Sequence, residues 1–421
     1  MSQPLRGAPK SFRLHIGIFG RRNAGKSSLL NALVGQEVAI VSDSPGTTTD
    51  PVEKPMELQP IGPVLFIDTA GVDDEGALGE KRVEKTRRVF DRTDVALLLA
   101  PAGTWSQFEE SLLREFAERE IPTIVVFSLA DLSGPLPQVV DKLQAKRIPW
   151  AEVSVVQKRG LDRLRELLVQ VAADRTSLGP PIIVDLVPEN ALVVLVIPID
   201  KEAPKGRLIQ PQVQTLRELL DGNRLSVVVK EHQVAEALSR LREPPALVVT
   251  DSQAFTQVAA QVPRSVRLTS FSILFARQKG HLEDFVDGLA TLRDLRPGDR
   301  VLVAEACTHH PIEEDIGRVK LRRWTEDFVG GELDWVVTAG MDFPEDVSQF
   351  RLVIHCAACM FNRRHMLSRI AHCRRAGVPI TNYGLAIAFL KGLLPRALEP
   401  FGPSLVERFR QIALQPAASA G

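Results

Sequence analysis

Two kinds of motif in this chain of 421 residues could carry chemistry. Three of its four cysteines fall in two short clusters, CTH at residues 307–309 and HCAAC at residues 355–359. Thiolates and imidazoles at such spacings are typical metal ligands. Residues 20–27 spell GRRNAGKS, a glycine-rich loop of the kind whose backbone N–H groups surround phosphates. The sequence therefore predicts a metal site and a nucleotide site on one polypeptide.

The segments around GRRNAGKS predict the context that a phosphate loop requires. Residues 13–19 (RLHIGIF) predict a buried strand, and SSLLNALVG after the loop predicts a helix. We expect Lys26 to reach the β- and γ-phosphate oxygens and the Ser27 hydroxyl to ligate Mg²⁺. The nucleotide-binding residues expected in this segment are Gly20, Asn23, Ala24, Gly25, Lys26, Ser27 and Ser28.

Four further motifs follow in the order found in small GTPases. They are SPGTTTD (44–50), VLFIDTAG (64–71), DVALLLA (94–100) and TIVVFSLAD (123–131). In such a fold Asp68 holds Mg²⁺ through water, the Gly71 N–H senses the γ-phosphate, and Asp131 contacts the base. The alternative, a polar turn and a strand end with no shared purpose, requires the whole ordered set to be coincidence. The set predicts a GTP-hydrolysing domain.

This motif set resembles the TrmE-Era branch of the translation-factor-like GTPases. The resemblance implies that Asn23 and Thr47 help to hold a K⁺ ion that acts in place of an arginine finger, and that Thr48 ligates Mg²⁺. It makes Lys26, Thr48, Asp68 and Gly71 the expected catalytic residues. Val72 stands where a Ras-like protein has its water-positioning Gln. We therefore expect slow, potassium-stimulated hydrolysis.

The base-recognition motif departs from that family. Where the family has N-K-x-D, this chain has S-L-A-D at residues 128–131. Asp131 can still pair with the guanine N1 and N2 edge, and Ser154 stands roughly where the last base-contacting motif belongs. A lost hydrogen bond is worth roughly 0.5–1.5 kcal/mol, so the sequence predicts a GTP affinity about tenfold below that of an intact motif.

Beyond a polar linker at residues 172–181, two further alternations of apolar runs and amphipathic helices follow. The first covers residues 193–262, and the second begins near residues 270–276. Each predicts a small parallel sheet. The predicted fold class is α/β, with a P-loop GTPase domain at 1–175 and two further α/β domains at 182–265 and 266–421. The middle domain carries no phosphate loop and no metal-ligand cluster, which favours a structural or interfacial role.

Both cysteine clusters directly follow a predicted strand, at residues 300–306 and 351–355. Carboxyl ends of parallel strands share one edge of a sheet, so Cys307, Cys356 and Cys359 are expected to converge. A Cys₃His zinc site, an iron–sulfur cluster and a thioredoxin-like C-x-x-C all fit this spacing. Cys373, without a spaced partner, is expected to be a buried apolar residue.

The C-x-H and H-C-x-x-C motifs behind a TrmE-Era-like domain resemble the [FeFe]-hydrogenase maturation GTPases of the HydF family. The resemblance runs over nearly the whole chain through strings such as VVTDSQAF, EACTHHP, IHCAACM and PITNYG. It implies a [4Fe-4S] cluster bound by Cys307, Cys356 and Cys359, with a fourth iron position that His309, His355 or a carboxylate could occupy.

The same resemblance implies function and partners. Proteins of this family are scaffolds for a transient two-iron subcluster precursor of the hydrogenase active site, which is delivered to the [FeFe]-hydrogenase apo-enzyme. Two radical-SAM maturases work with them, and the middle domain makes them homodimers. The HCAAC motif of this chain differs from the family's usual motif at one position, where Ala357 replaces a Gly.

The overall composition argues against other classes. Lys plus Arg and Asp plus Glu are each 52 and the pI is about 7.1, so no global attraction to nucleic acid or anionic lipid is expected. No apolar run reaches membrane-spanning length, and we expect a cytoplasmic protein with no membrane partner. An RNA-associated TrmE-Era-type GTPase with a structural zinc site is the alternative, yet only 5% of the residues are aromatic. A zinc metallochaperone would be expected to carry a His-rich segment.

Overall fold

The structure is a computed structural model, and it describes residues 8–34, 51–69, 88–173, 179–199, 206–307 and 316–414. The chain divides into two compact units, residues 1–178 and 179–421. Thr47, Thr48, Gly71, Val72 and His309, which the sequence singled out, lie outside the described residues.

The first unit is built on a six-stranded sheet of order β2-β3-β1-β4-β5-β6. All described strand pairs are parallel except β2 with β3. The central strands β1 and β4 are nearly continuous runs of buried residues, as expected of a sheet covered on both faces. Its strands are β1 (Leu14–Gly20), β2 (Val52–Leu58), β3 (Gly62–Asp68), β4 (Val95–Pro101), β5 (Thr123–Ser128) and β6 (Trp150–Glu152).

Helices cover both faces of this sheet. Alternate strand residues point to opposite faces, so Ile18 joins one core while Phe19 joins the other. The first core packs against α1 (Lys26–Val34) and α4 (Leu161–Ala173). The second core packs against α2 (Gln107–Glu118) and α3 (Pro137–Ala145).

The second unit contains two four-stranded parallel sheets, of order β10-β9-β7-β8 and β12-β11-β13-β14. Counted from its own first strand, each sheet has the order second, first, third, fourth, so the two halves repeat one topology. Their strands are β7 (Leu192–Val196), β8 (Leu225–Val229), β9 (Leu247–Thr250), β10 (Leu268–Ser270), β11 (Arg300–Glu305), β12 (Asp334–Ala339), β13 (Leu352–His355) and β14 (Ile380–Asn382).

The repeat extends to the helix that follows each last strand. Ser270 and Asn382 both cap that helix, since each side chain accepts a hydrogen bond from a backbone N–H of the first turn. One continuous apolar core joins the two sheets. The helices are α5 (Gln210–Asp221), α6 (Val234–Ser239), α7 (Phe255–Gln261), α8 (Phe271–Lys279), α9 (Leu282–Arg293), α10 (Leu321–Val329), α11 (Arg363–Arg375), α12 (Tyr383–Leu390), α13 (Leu394–Leu398) and α14 (Pro403–Leu414).

The boundary drawn at residue 265 leaves out the last strand of the second sheet. β10 lies after that residue, and it pairs in parallel with β9. The apolar run at 270–276 forms most of helix α8, whose apolar side chains are buried beside both sheets. Among the described residues, no helix is both long enough and apolar enough to cross a membrane.

Candidate nucleotide and thiol sites

The phosphate loop runs from the end of β1 into α1, as the sequence predicts. Gly20 ends the strand where the backbone passes so close to β4 that an added Cβ would lie 2.4 Å from the Leu99 carbonyl oxygen. Gly25 has a φ of +85°, and Asn23 has a φ of +60°. These left-handed conformations curl the backbone ahead of the helix N-terminus, where anions bind.

Lys26 is buried within this loop and faces inward. Its Nζ donates to the Gly20 carbonyl at 2.9 Å and to the Arg21 carbonyl at 2.6 Å. The ammonium group is thus held over the hollow of the loop by the carbonyl groups of its first two residues. A phosphate placed there would meet a cation that is already positioned.

Ser27, the expected Mg²⁺ ligand, and Asp68, expected to hold Mg²⁺ through water, are in direct contact. Ser27 Oγ donates to Asp68 Oδ2 at 2.6 Å. Burial raises the pKa of Asp68, with the Ser27 hydrogen bond and the Lys26 charge opposing the rise. Asp68 Oδ1 is buried and accepts no hydrogen bond from the described residues. Mg²⁺ prefers oxygen ligands, and the Ser27 hydroxyl and the Asp68 carboxylate can supply oxygen atoms to an ion at this position.

The loop at 128–131 corrects one expectation from the sequence. Ser128 is buried, and its Oγ donates to the Ala24 carbonyl of the phosphate loop at 2.7 Å. Ser128 therefore keeps a hydrogen bond, which joins the base loop to the phosphate loop, where the sequence predicted a lost one; the tenfold lower GTP affinity stays a prediction. Leu129 has a φ of +54° and is 38% exposed, so it presents an apolar side chain where the family has a Lys stem.

Asp131 is held by the neighbouring loop. Ser154 Oγ donates to Asp131 Oδ1 at 2.6 Å, and this hydrogen bond lowers the pKa of Asp131. Arg159 Nη2 donates to the Ala130 carbonyl at 2.5 Å, which ties the same two loops together. The structure thus brings Ser154 to Asp131, as its position in the sequence suggested, and leaves Asp131 ionised to accept donors.

Sequence reasoning missed an ion pair beneath the phosphate loop. Arg21 donates to both carboxylate oxygens of Glu109, with Nε at 2.6 Å from Oε1 and Nη2 at 3.2 Å from Oε2. Glu109 is fully buried near the start of α2, where it also completes a capping box with Ser106. The arginine stacks over the Phe108 ring at 5.0 Å. This arrangement fixes the loop residue whose carbonyl holds Lys26.

The thiol site lies where the strands of the third sheet end. Cys307 follows β11 and Cys356 follows β13, and these two neighbouring strands are the first and third of their sheet. The order of an open α/β sheet reverses between such strands, which is where ligands gather. Cys356 N–H donates to the Ala304 carbonyl at 2.9 Å, which extends the β11–β13 ladder to the first thiol-bearing residue.

Backbone donors surround the sulfur atoms. The Ala306 and Ala358 N–H groups lie 3.1 and 3.4 Å from Cys356 Sγ. Burial raises the pKa of Cys356 to about 12, and the charge of Cys359 adds to the rise. Burial likewise raises the pKa of Cys359 to about 11, with Cys307 adding to the rise and Lys279 opposing it. Cys359 is thus close enough to Cys356 and to Cys307 for their charges to interact, and Cys356 and Cys359 stay protonated until a metal displaces the protons.

His355 does not face the thiols as a free ligand. Its Nδ1 lies 2.8 Å from the Cys356 carbonyl oxygen, and its Nε2 lies 2.9 Å from Arg369 Nη1. Burial and the charge of Arg369 lower the pKa of His355 to about 3. Since both nitrogens are engaged, the arrangement argues against His355 as an iron ligand.

In the described part of the chain, no three His, Cys, Asp or Glu side chains are grouped tightly enough to hold a metal ion. The three cysteines, with backbone N–H groups directed at Cys356 Sγ, fit the thiolate ligation of zinc and of an iron–sulfur cluster.

Arg369 is the residue of this site that sequence reasoning missed. It lies on α11, on the stripe that also carries Met366 and Cys373, and it is 3% exposed. Arg369 lies three positions after Met366 and four before Cys373, so it shares their helix face. A charged residue on an apolar face indicates a buried charge with a partner, and this pattern was visible in the sequence. Cys373 itself is fully buried in the apolar core, as the sequence predicted.

The sheet order, the phosphate loop and the Ser27–Asp68 pair define the first unit as a P-loop GTPase domain. A family model described as a 50S ribosome-binding GTPase matches residues 15–129. Two further models, the hydrogen maturase F dimerization domain and tetramerization domain, match residues 182–280 and 283–400. The two together cover more than half of the chain, and the chain belongs to the hydrogen maturase F family.

Two curated relatives that are GTPases match about two fifths of this chain. GTPase Der of Wolinella succinogenes is 32% identical over 179 residues, which is 40% of this chain and 37% of that protein. The tRNA modification GTPase MnmE of Chromobacterium violaceum is 34% identical over 159 residues, or 38% and 34% of the two chains. This chain therefore spans about a third of the length of these curated relatives.

Two solved structures resemble the chain more remotely. Era of Aquifex aeolicus, bound to GDP and AlF4⁻, is 20% identical, with 59% of this chain and 97% of that chain covered at a TM-score of 0.32. The G domain of the FeoB iron transporter of T. maritima is 22% identical, with 38% and 99% covered at a TM-score of 0.31.

Proposed function

We propose that this protein is a GTP-hydrolysing scaffold that binds a [4Fe-4S] cluster and completes and delivers the two-iron subcluster of [FeFe]-hydrogenase. The observation that carries the proposal is that Cys307 and the Cys356–Cys359 pair follow two adjacent parallel strands, at one edge of a sheet within the hydrogen maturase F tetramerization domain. Membership of that family supports the hydrogenase apo-enzyme and two radical-SAM maturases as partners.

The GTPase domain supplies the nucleotide-dependent part of this function. Lys26 is held for the β- and γ-phosphates, and Ser27 with Asp68 offers oxygens for Mg²⁺. Thr48 and Gly71 are the proposed Mg²⁺ ligand and γ-phosphate sensor, and Thr47 with Asn23 the proposed K⁺ ligands. Asp131, fixed by Ser154, accepts the guanine N1–H and 2-amino group. ATP offers no such pair of donors, so we expect GTP to be preferred.

The thiol site supplies the cluster-dependent part. When bound, the cluster offers an iron position that is not saturated by thiolate, and an anionic ligand of the two-iron cargo can occupy it. The three cysteines hold the cluster, and two backbone N–H groups stabilise the charge on Cys356 Sγ. His309 remains a proposed ligand of the fourth position. Cysteines that serve as metal ligands must stay reduced, which supports the cytoplasm as the proposed location.

We further propose that the homodimer forms through the exposed edge of the second sheet. β8 is an edge strand, and Leu225 and Val228 on it are 61% and 46% exposed. An apolar edge strand is a template for pairing with another chain, and this one lies in the matched dimerization domain. Val228→Lys should convert the dimer to a monomer in sedimentation equilibrium. Val156 is exposed in the first unit, and the control variant Val156→Lys should remain a dimer.

The proposed function is tested by measuring transfer of the two-iron subcluster to apo-[FeFe]-hydrogenase. Anaerobically reconstituted protein, loaded with the two-iron precursor by the two maturases, should activate apo-[FeFe]-hydrogenase to evolve hydrogen. Cys356→Ser protein should activate it by less than a tenth of the wild-type amount, because the cluster that receives the cargo is gone. Cys373→Ser is the matched control and should activate it fully. Equal activation by wild-type and Cys356→Ser protein would contradict the proposal. The RNA-associated alternative has no structural observation in its favour.

A further inference from the structure

Arg369 is a buried cation set between aromatic rings behind the thiol site. Its guanidinium lies 4.7 Å from the Phe343 ring centre and 4.6 Å from the Phe361 ring centre. Its Nη2 donates to the Gly340 carbonyl at 2.7 Å. Two ring faces and a backbone carbonyl therefore fix the plane of the guanidinium. Because the group is planar and rigid, its N–H donors then point in fixed directions.

That partner is His355, the residue before the first cysteine of the C-x-x-C motif. Arg369 Nη1 lies 2.9 Å from His355 Nε2. Because a guanidinium donates hydrogen bonds and cannot accept them, His355 Nε2 must be the nitrogen without a proton. The proton is then on Nδ1, which donates to the Cys356 carbonyl oxygen at 2.8 Å. Arg369 thus selects one tautomer of the histidine.

We propose that Arg369 is a positioning residue of the thiol site, which fixes the Cys356 backbone through His355 and places a constant positive charge behind the bound cluster. The inference rests on the proposed function, because it concerns how a cluster is held. It assigns His355 to the support of the binding loop and removes it from the candidates for the fourth iron ligand.

The arrangement has two separable effects. A fixed Cys356 carbonyl keeps the following turn in place, where Ala358 has a φ of +52° and points its N–H at Cys356 Sγ. A positive charge near Cys356 favours its thiolate over its thiol, and it likewise favours the more negative, reduced state of a bound cluster. Loss of Arg369 should therefore loosen the cluster and also make its reduction potential more negative.

The chain offers a matched control for these effects. Arg396 is also 3% exposed in the second unit, and its guanidinium donates to the carbonyls of Ala259, Val262 and Pro263. Arg396→Met removes a guanidinium that is as deeply buried as that of Arg369 and has no hydrogen bond to the thiol site among its described contacts. Any general loss of fold stability should appear in both variants, whereas the effects on the cluster should appear only in Arg369→Met.

The experiment compares wild type, Arg369→Met, Arg369→Lys and Arg396→Met. We expect iron release to a chelator about tenfold faster and a more negative midpoint potential in Arg369→Met, an intermediate potential in Arg369→Lys, and wild-type values in Arg396→Met. ¹⁵N NMR of histidine-labelled, metal-free wild type should show His355 as the neutral tautomer protonated at Nδ1.

The results that would contradict the proposed function differ from those that would contradict the role of Arg369. A wild type that binds no iron would contradict the proposed function itself. An Nε2-protonated His355, or a cluster of unchanged potential and unchanged release rate in Arg369→Met and Arg369→Lys, would overturn this inference and leave the proposed function intact. If Arg369→Met does not fold, the potential of Arg369→Lys and the wild-type tautomer still decide the question.

Discussion

Ser128 Oγ donates a 2.7 Å hydrogen bond to the Ala24 carbonyl, and this contact joins the base-recognition loop to the phosphate loop across 104 positions of sequence. In GTPases with an intact N-K-x-D motif, an Asn occupies the position of Ser128. The shorter serine side chain keeps the connection between the two loops. The remaining departure from the motif is Leu129 in place of Lys, which offers the base an apolar surface without a cation.

Ser128→Ala should weaken GTP binding about two- to tenfold, because one hydrogen bond worth about 0.5–1.5 kcal/mol is lost and the Ala24 carbonyl loses its donor. Isothermal titration with a GTP analogue measures the change. Ser133→Ala, an exposed serine of the same loop, is the matched control and should bind as the wild type does. An unaltered affinity in Ser128→Ala would show that the contact does not support the base loop.

Asp131→Ala should abolish the preference for GTP over ATP, since the carboxylate is the group that pairs with the guanine edge. Ser154→Ala should reduce the preference by a smaller factor, because it removes the hydrogen bond that orients Asp131 and lowers its pKa. Competition between the two nucleotides in equilibrium binding gives both ratios. Equal binding of ATP and GTP by the wild type would contradict this assignment of the base site.

Glu109→Gln should lower the free energy of unfolding by about 1.5–3 kcal/mol near neutral pH, because the paired hydrogen bonds from Arg21 to a charged carboxylate are replaced by one hydrogen bond to a neutral amide oxygen. Burial alone would raise the pKa of Glu109, but hydrogen bonds from Arg21 and Ser106 outweigh it and leave the pKa lowered. A carboxyl with a lowered folded-state pKa stabilises the fold above its unfolded pKa, and this contribution disappears as the pH falls through the folded value.

Urea unfolding at several pH values checks this prediction. The difference between wild type and Glu109→Gln should be full at pH 7 and should shrink as the solution becomes more acidic than the ordinary glutamate pKa of 4.5. Glu115→Gln on the same helix removes a half-buried i,i+4 pair with Arg119 and should cost less than about 1 kcal/mol. A difference that grows towards acid would show the opposite sign of pKa shift.

GTP hydrolysis should be faster in KCl than in NaCl at equal ionic strength, and Asn23→Ala should remove the difference. Asn23 is exposed in the phosphate loop with a φ of +60°, where its side chain is available to a monovalent cation beside the phosphates. Asn190→Ala is the matched control, since Asn190 has a φ of +61° in the other unit. Equal rates of the wild type in the two salts would refute the potassium site.

Sequence patterns predicted the elements that carry both sites. The buried strand before GRRNAGKS is β1, and the two strands before the cysteine clusters are β11 and β13, adjacent and parallel. These predictions succeed because a strand buried on both faces is a continuous apolar run and because parallel strands end at one edge. Convergence of the thiols then follows from topology alone.

Contacts between distant residues could not be predicted in the same way. The Ser128–Ala24 and Arg21–Glu109 pairs each join segments that no periodicity relates, so they depend on how the loops approach in space. Helix α8 was ambiguous for another reason. A short run that is apolar on every side fits a buried helix as well as a buried strand, and the adjoining strand β10 has only 3 residues.

The central claim is that Cys307, Cys356 and Cys359 together hold an iron–sulfur cluster, and metal analysis of anaerobically purified protein tests it most directly. We expect close to four iron atoms and four sulfides per chain with negligible zinc, as one [4Fe-4S] cluster requires. Each single serine variant of these three cysteines should lose the cluster while GTP hydrolysis continues, and Cys373→Ser should retain it. Stoichiometric zinc without sulfide, or a full iron content in any of the three variants, would contradict the account.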